Sequence, residues 1–546
     1  MSAMTEKPGD GAPSATATAV PHSIFTRAPA ASTRTLVTAL ELGVLGDYLM
    51  RSDEPGLNVT LWVWALLAAA LVMTSRSDVR IDRRRIALIG AAAFFAAAPA
   101  WRATEPLVVF GGLAVITLLV LSAWTAGAPG VVLLDRTLGS YLRAAWTGFV
   151  HILVGAIPLF TAEARARSDL RNTYRRPLGA ALRGLALSVP VVFVLGALLM
   201  KADAAFESLI GNLLRWDAGT VASHVALAGA FTWLGAAYLC ASLGWGRAES
   251  ATPVGIRLGV IEGGMVLGVV NLLFLSFMLV QLRYLFGGTD HVLATAGLTY
   301  AEYARRGFFE LVTVTALTLP LLVGVTAAVH PESALERRIF RSLSTALVVL
   351  LLALVVSAVG RMRLYQMEYG WTLPRVHATA LMLWICGCIV WFAATVLRGD
   401  ARRFAFGGVT GGLAVLGMLI VANPASLVVR ANAARVSAGG DFDAEHAASL
   451  GDDAIPALMD ILPAVEPTLD LADRCLIQRA VDNAGPRLRE DGTSNWREWN
   501  LARVRARRAV QEHAASTARI LGAAPCPAVE ASVAPPAAPP VTGAPR

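Results

Sequence analysis

The feature that most constrains the fold is a series of long apolar segments that recur along the 546-residue chain. Most have about 20 residues, the length at which an α-helix crosses the roughly 30 Å hydrocarbon layer of a bilayer. Charged residues make up only 16% of the chain, against about 25% in soluble proteins. A transmembrane barrel would show short segments of alternating polarity instead. The sequence therefore predicts an all-α, polytopic helical membrane protein.

The apolar segments predict about eleven transmembrane helices, four of them in 34–127 and the others in a transmembrane core at 181–422. Residues 1–33 and the Pro- and Ala-rich tail 523–546 are predicted to be disordered, because their composition cannot bury a core. Apolar residues at helical spacing predict a small helical C-terminal domain at 423–522. The predicted spans are 35–50, 58–74, 86–101, 106–127, 181–200, 221–244, 258–282, 307–329, 341–360, 376–397 and 404–422.

The distribution of arginine predicts the orientation of the helices. Both 75–85 and 161–180 are rich in Arg, and the positive-inside rule places both segments in the cytoplasm. Two spans already separate them, so the apolar segment 144–160 is predicted to be re-entrant or interfacial within an Arg-rich cytoplasmic segment, 128–180. The N-terminus is then cytoplasmic and the C-terminal domain extracytoplasmic. The abundance of Ala and Arg indicates a bacterial protein, and the expected location is the inner (plasma) membrane.

The segment "TYAEYARRGFFELV" places charged side chains at the mouth of a predicted span. Glu302, Arg306 and Glu310 share one face of a helix, and Arg305 lies one turn from Glu302. An unpaired Glu310 inside the apolar segment would cost a few kcal/mol, which pairing with Arg306 offsets. Tyr303 fits the aromatic belt of a membrane interface. These charges are therefore compatible with the anchored end of a transmembrane helix.

Two further segments, "VQLRYLFGGTD" and "RMRLYQMEYGWTLPRVH", carry Arg and Tyr at the same predicted depth. We predict a polar ligand-binding site at the outer face, where Arg holds a carboxylate or an anionic lipid head group bidentately. Ordinary interfacial anchoring is the alternative. The predicted site consists of Arg283, Tyr284, Glu302, Tyr303, Arg305, Arg306, Glu310, Arg361, Arg363, Tyr365, Glu368 and Arg375.

Two polar residues lie deeper in one span. Glu262, followed by two glycines, is a candidate proton or cation site or an interfacial carboxylate, and Asn271 follows within the same span. The chain has no P-loop, HExxH or GxSxG motif and no cluster of metal ligands. No metal and no cofactor are therefore predicted, and an enzyme is disfavoured but remains open. The five cysteines are predicted to be packing residues.

Several motifs together resemble a known family. "QLRYLFGG", "TYAEYARRGFFEL", "RMRLYQMEYGWTLPR" and "NPASLVVRANAAR…LGDDAIPAL" resemble an uncharacterised family of bacterial integral membrane proteins, domain of unknown function 4173, which is related to family 4153. The resemblance extends over about residues 180–500. It implies the polytopic helical fold and the outer-face segments, but it brings no activity, substrate or cofactor.

Three functions are compatible with this pattern. The leading hypothesis is transport or envelope sensing, with an anionic small molecule or lipid head group at the outer-face site. The first alternative is a membrane-embedded enzyme that acts on a lipid or lipid-linked substrate, with Glu262 or Glu310 as acid or base. The second is a structural scaffold for envelope partner proteins. The Arg residues lie between spans, so the expected partner is the lipid bilayer and not nucleic acid.

Overall fold

The computed structural model describes residues 29–77, 81–127, 133, 136–157, 159–160, 188, 218–244, 258–286, 308–484, 495–522 and 526. Within these residues the chain is helical without a β-strand, apart from one isolated bridge between Leu258 and Val329. Eight helices of the described part are long and apolar enough to cross a bilayer. The chain is thus an all-α, polytopic membrane protein, as the sequence predicts.

Consecutive helices of the membrane domain are joined by short turns wherever the connection is described. Those of the first half are α1 (Pro29–Leu49), α2 (Leu57–Ser75), α3 (Arg83–Ala96), α4 (Ala98–Trp101), α5 (Glu105–Gly127), α6 (Leu138–Val154) and α7 (Ala218–Ser242). Those of the second half are α8 (Val260–Phe286), α9 (Phe308–Ala328), α10 (Ala334–Tyr369), α11 (Leu373–Thr395) and α12 (Arg402–Ala422).

Eight predicted spans coincide with α2, α5 and α7 to α12, the helices that can cross a bilayer by length and composition. The predicted span 35–50 forms α1, which carries Glu41 and Asp47 and is not among those helices. The predicted span 181–200 lies outside the described residues except for Ser188.

The predicted span 86–101 is broken into α3 and α4. Pro99 has no N–H to donate to the carbonyl of Phe95, four residues earlier, and its ring disfavours a straight helix. The hydroxyl of Thr60 in α2 donates to the carbonyl of Ala96 at 2.8 Å. A buried partner therefore satisfies the backbone at the break, where no water is available.

The apolar segment 144–160 falls on α6 and the residues after it. The Tyr141 ring at the start of α6 packs against Trp124 near the end of α5. Further along, Trp233 donates to the carbonyl of Ile152 at 2.9 Å and stacks on Phe160. Trp233 lies in the middle portion of α7, so α6 enters the bundle from one end and its continuation reaches mid-depth. Residues 161–187 lie outside the described part, and the re-entrant path stays a prediction.

The membrane helices pack as two apolar clusters. The first is built mainly from α1, α2, α3, α5 and α7, and the second from α8 to α11. α12 contributes Ile420 to the first cluster and Phe404 to the second. This helix therefore connects the two halves of the membrane domain.

A C-terminal helical domain follows α12. Its core includes Leu458, Ile477 and Ala506, none of which has exposed surface. A disulfide joins Cys475 to Cys526, so the prediction of packing cysteines is wrong for this pair, because a separation of 51 residues gives no local spacing motif. The helices are α13 (Pro424–Val436), α14 (Ala444–Ser449), α15 (Ile455–Val465), α16 (Leu471–Ala484), α17 (Leu501–Glu512) and α18 (Ala514–Leu521).

The C-terminal domain covers one end of the membrane domain, which we call the domain-facing end. The turns α1–α2, α4–α5 and α10–α11 all lie there: Leu57 N–H donates to Trp499 O, Asn500 donates to Pro99 O, and Trp371 N–H donates to Asn432. The opposite end carries the start of α3 beside the end of α7.

Helices α1 and α7 approach so closely that one contact requires glycine. A Cβ added to Gly43 would lie 1.8 Å from Thr232 Oγ1 and 2.6 Å from the carbonyl oxygen of Ala228. Small residues at such contacts allow helices to associate in a membrane, where close packing replaces the hydrophobic driving force. A Cβ added to Gly229 of α7 would instead face open space, with no neighbour within 4 Å.

These two glycines allow a matched test of the α1–α7 contact. Both Gly43→Ala and Gly229→Ala gain about 1 kcal/mol of helix propensity. Gly43→Ala must also displace α7, which costs about 1–3 kcal/mol and outweighs the gain. In thermal unfolding of the detergent-purified protein, G43A should therefore melt below G229A, and G229A at or above the wild type. Equal melting temperatures for the two variants would contradict the close contact.

Candidate functional site

The structure describes only part of the predicted outer-face site. Glu302, Tyr303, Arg305 and Arg306 lie outside the described residues. Arg283 and Tyr284 lie in the last turns of α8, where only the backbone is described. The described side chains are those of Glu310, Arg361, Arg363, Tyr365, Glu368 and Arg375. Whether the full set forms one ligand site stays a prediction.

Tyr365 and Arg375 come together at the α10–α11 turn. The guanidinium of Arg375 lies 4.0 Å from the ring centre of Tyr365. It also donates to the carbonyl of Tyr369 at 3.0 Å and to that of Gly370. These carbonyls end α10 and carry the partial negative charge of a helix C-terminus, which a cation stabilises. Arg375 therefore acts as a helix cap in this structure, with its charge directed at the backbone.

The same turn is a contact surface for the C-terminal domain. Asn432 of α13 accepts from Trp371 N–H at 2.7 Å and donates to Trp371 O at 2.8 Å. Arg435 donates to the carbonyl of Glu368 at 2.9 Å. Gly370 has a φ of 74°, and a Cβ there would lie 2.5 Å from Arg435 Nη1. Only glycine therefore suits both the turn and the close approach of α13.

Two of the predicted acids, Glu310 and Glu262, are exposed at helix starts. Glu310 lies in the first turn of α9. Glu262 lies in the first turn of α8, where its carboxylate accepts from Gly259 N–H at 2.7 Å. A carboxylate at this position is stabilised by the partial positive charge of a helix N-terminus. The geometry at Glu262 thus corresponds to the interfacial alternative that the sequence left open.

Asn271 lies at mid-depth between α8 and α10. Its amide donates to Leu267 O at 2.8 Å and to Leu343 O at 3.0 Å, so it connects the two helices. It also borders an open groove of about 540 Å³ whose other lining residues are small, apolar or Thr345. No carboxylate and no arginine lines this groove.

A buried ion pair joins the C-terminal domain to the membrane helices. Arg102 Nη1 lies 3.3 Å from Asp453 Oδ1, and the two side chains are 4% and 0% exposed. Asp453 follows α14, whereas Arg102 lies in the turn between α4 and α5. Desolvating two ions costs several kcal/mol each, so such a pair persists only when further hydrogen bonds complete it.

Asp453 supplies the missing cap of α5. Its Oδ2 accepts from Ala103 N–H and Thr104 N–H, both at 2.8 Å, and from Thr104 Oγ1 at 2.7 Å. The first amides of an α-helix have no intrahelical acceptor and carry partial positive charge. A carboxylate from a different domain therefore satisfies the start of a membrane-spanning helix.

Arg102 supplies the opposite cap, at the end of α12. Its Nε donates to Ile420 O at 2.6 Å and its Nη2 donates to Val421 O at 3.0 Å. The last carbonyls of a helix carry partial negative charge, so the guanidinium is compensated by the helix end as well as by Asp453. Asn500 donates to Arg102 O at 2.9 Å. We call Arg102, Thr104, Asp453 and Asn500 the interdomain cluster.

A second contact lies beside the interdomain cluster, at the α1–α2 turn. Arg503 pairs with Glu54, and the guanidinium of Arg497 lies 4.6 Å from the ring centre of Tyr48. Trp496 and Trp499 are about half exposed next to this turn. Aromatic and basic side chains at the end of a transmembrane bundle suit the lipid head-group region.

The sequence did not reveal the interdomain cluster, although signals for it existed. Arg102 lies in a turn that is predicted to be extracytoplasmic, whereas arginine is generally enriched in cytoplasmic loops. Asp453 lies in the motif "LGDDAIPAL", which matches no chemical signature. The two residues are 351 positions apart, and no spacing rule reports such a pair.

The comparisons with known proteins establish the family. Residues 89–461, more than half of the chain, match the domain of unknown function DUF4153. The chain belongs to the DUF4153 family. The related family 4173, which the motifs resemble, is not the one that matches. No curated protein and no solved structure matches the chain. The DUF4153 region includes both Arg102 and Asp453 and ends within α15.

The interdomain cluster predicts unequal effects of two Asp→Ala substitutions. Asp453→Ala removes the carboxylate that binds Arg102 Nη1 and the amides of Ala103 and Thr104. This loss should destabilise the protein by about 3–5 kcal/mol. Asp460→Ala removes a pair with Arg430 whose side chains are 46% and 58% exposed, so it should cost at most about 1 kcal/mol. Thermal unfolding in detergent measures both. A D453A protein as stable as D460A would contradict the proposed role of the cluster.

Proposed function

We propose that this DUF4153 protein is an envelope-sensing protein of the bacterial inner membrane, in which the docked state of the C-terminal domain controls the membrane helices. The observation that carries the proposal is the interdomain cluster. One buried ion pair holds the start of α5 and the end of α12 at the same time, so docking of the domain and the positions of both helices are linked.

Two independent features support an extracytoplasmic C-terminal domain. The first is the disulfide between Cys475 and Cys526, because disulfides persist in oxidising compartments such as the bacterial periplasm. The second is the Arg-rich connection between α2 and α3: the end of α2 and the start of α3 lie opposite the C-terminal domain, and the positive-inside rule predicts that this connection is cytoplasmic. Both features support an orientation in which the domain-facing end lies outside.

The two best-defined cavities of the described part give no support to transport of an anionic solute. One space, of about 10 Å³, is lined by apolar residues and Thr315. The other is the groove beside Asn271, which has no charged lining residue. A transporter for an anionic solute would present paired or coordinating polar groups at mid-depth. The groove also lacks the carboxylate and arginine that a lipid-directed enzyme would place there, so the enzyme hypothesis gains no support from it.

The position of α12 explains how a signal would travel. α12 begins at Arg402, packs Phe404 into the second apolar cluster and Ile420 into the first, and ends at the interdomain cluster. Undocking would remove Asp453, so that the guanidinium of Arg102 would keep the last carbonyls of α12 but lose its carboxylate. A movement of α12 would then reach the opposite end of the protein. In this proposal α12 is the two-state element that coupling between distant sites requires.

Labelling of engineered cysteines tests the orientation. Asp441→Cys places an exposed thiol in the C-terminal domain, and Ser75→Cys places one at the end of α2. A membrane-impermeant maleimide should label D441C on intact cells and S75C only after permeabilisation. The parent protein, with Cys240, Cys386 and Cys388, gives the background. The reverse pattern would refute an extracytoplasmic domain.

Hydrogen exchange in lipid nanodiscs tests the coupling. Asp453→Asn keeps the shape of the side chain but weakens the caps, so exchange should rise severalfold at 103–107 and at 420–423. Sensing through α12 also requires a rise at 402–410, at the other end of this helix. D460N, at the exposed pair, should leave all three segments unchanged. A rise confined to the domain interface would favour a scaffold over a sensor.

A further inference from the structure

A second buried arginine lies at the opposite end of the protein, far from the interdomain cluster. Arg85 is in the first turn of α3 and is only 2% exposed. Its neighbours Arg83 and Arg84 on the same helix are exposed, as arginines at a membrane surface ordinarily are. Arg85 instead points between the helices, toward the end of α7.

The guanidinium of Arg85 is incompletely compensated. Its Nη2 donates to the carbonyl of Ser242 at 3.2 Å, but its Nε and Nη1 are buried without a hydrogen-bond partner. No carboxylate of the described residues forms an ion pair with it. Arginine stays protonated in proteins, so this site holds a full positive charge. An uncompensated buried ion costs several kcal/mol.

The groups around Arg85 are suited to an oxyanion. Ser242 of α7, whose carbonyl accepts from Arg85, is fully buried, and its hydroxyl has no hydrogen-bond partner. The nearby hydroxyls of Ser122 and Tyr238 are bonded to each other at 2.9 Å, and Ser122 also donates to Leu119 O. Two helices thus bring a forked cation and an unpaired hydroxyl to one place. A guanidinium fork with an adjacent hydroxyl matches the geometry of phosphate oxygens.

The end of α7 accounts for only part of the charge. A helix C-terminus carries about half an elementary negative charge, spread over its last carbonyls. Only one of these carbonyls accepts from Arg85, and Nε and Nη1 have no acceptor. Asp82, which caps α3, accepts from the backbone amide of Arg85 at 3.2 Å. Two guanidinium nitrogens are therefore left for an anion from outside the chain.

We propose that Arg85, with the unpaired hydroxyl of Ser242, binds the phosphate group of an anionic ligand at the opposite end of the membrane domain. Basic pockets between transmembrane helices on the cytoplasmic side bind phospholipid head groups. Arg85 lies in the first turn of its helix, at the end of the membrane domain opposite the C-terminal domain. The site is separate from the sensing proposal, because it uses none of the residues of the interdomain cluster.

Ligand-dependent thermal stability of the full-length protein, delipidated in a maltoside detergent, tests the site. Phosphatidylglycerol should raise the melting temperature of the wild type and of Arg84→Met, the exposed neighbour, by several degrees, because a ligand that binds the folded state stabilises it. Arg85→Met should show no such shift. A second experiment measures the melting temperature in inorganic phosphate and in chloride at equal ionic strength. A shift with both ligands identifies phosphate itself as the recognised group, and a shift with the lipid alone identifies the head group.

The proposal is overturned if the wild type responds to neither ligand, or if R85M responds as strongly as R84M. Arg85→Lys is the second variant, should R85M not fold. Lysine keeps the charge but loses the fork, so its titration midpoint for phosphatidylglycerol should rise about tenfold. An unchanged midpoint in R85K would also refute recognition by the guanidinium.

Native mass spectrometry should show one fewer retained anionic lipid on R85M than on R84M, and equal retention would count against the site.

Discussion

The arrangement of this protein depends on how two helix ends are satisfied where no water reaches them. The C-terminal domain covers the start of α5 and the end of α12, so their free amides and carbonyls must find protein partners. Asp453 accepts from the amides and Arg102 donates to the carbonyls, while the two side chains bind each other. Each ion thus faces a helix end of opposite partial charge, which is why a fully buried pair is stable here.

The break at Pro99 makes this arrangement possible. In an unbroken helix from Arg83 to Trp101, the direction of α3 would fix the position of Arg102. The separate turn α4 instead presents the Pro99 and Arg102 carbonyls to Asn500, which is 1% exposed. Asn500 also caps α17 of its own domain by accepting from Ala502 N–H. The helix break at Pro99 therefore helps to position both the membrane helices and the C-terminal domain.

Hydropathy predicted the helices but not their partners. Apolar length alone identified α2, α5 and α7 to α12, because the bilayer sets that length independently of tertiary contacts. The shared depth of the Arg and Tyr residues in 361–375 predicts a ligand site, whereas the structure directs Arg375 to the carbonyls of α10 and the turn to α13. Sequence periodicity shows which residues share a face, but it cannot show that a domain more than 50 residues later covers that face. The pairing of Cys475 with Cys526 is hidden for the same reason.

The two buried arginines show how a structural charge differs from one that binds a ligand. Arg102 and Arg85 are 4% and 2% exposed, so exposure does not separate them. Arg102 has an acceptor for each of its three nitrogens: two carbonyls of α12 and a carboxylate. Arg85 has an acceptor for one nitrogen alone. Both guanidinium groups are charged and buried, so a desolvation cost must be offset at both sites. At Arg102 the protein supplies every acceptor, and at Arg85 two nitrogens without an acceptor are the groups that the proposed phosphate would bind.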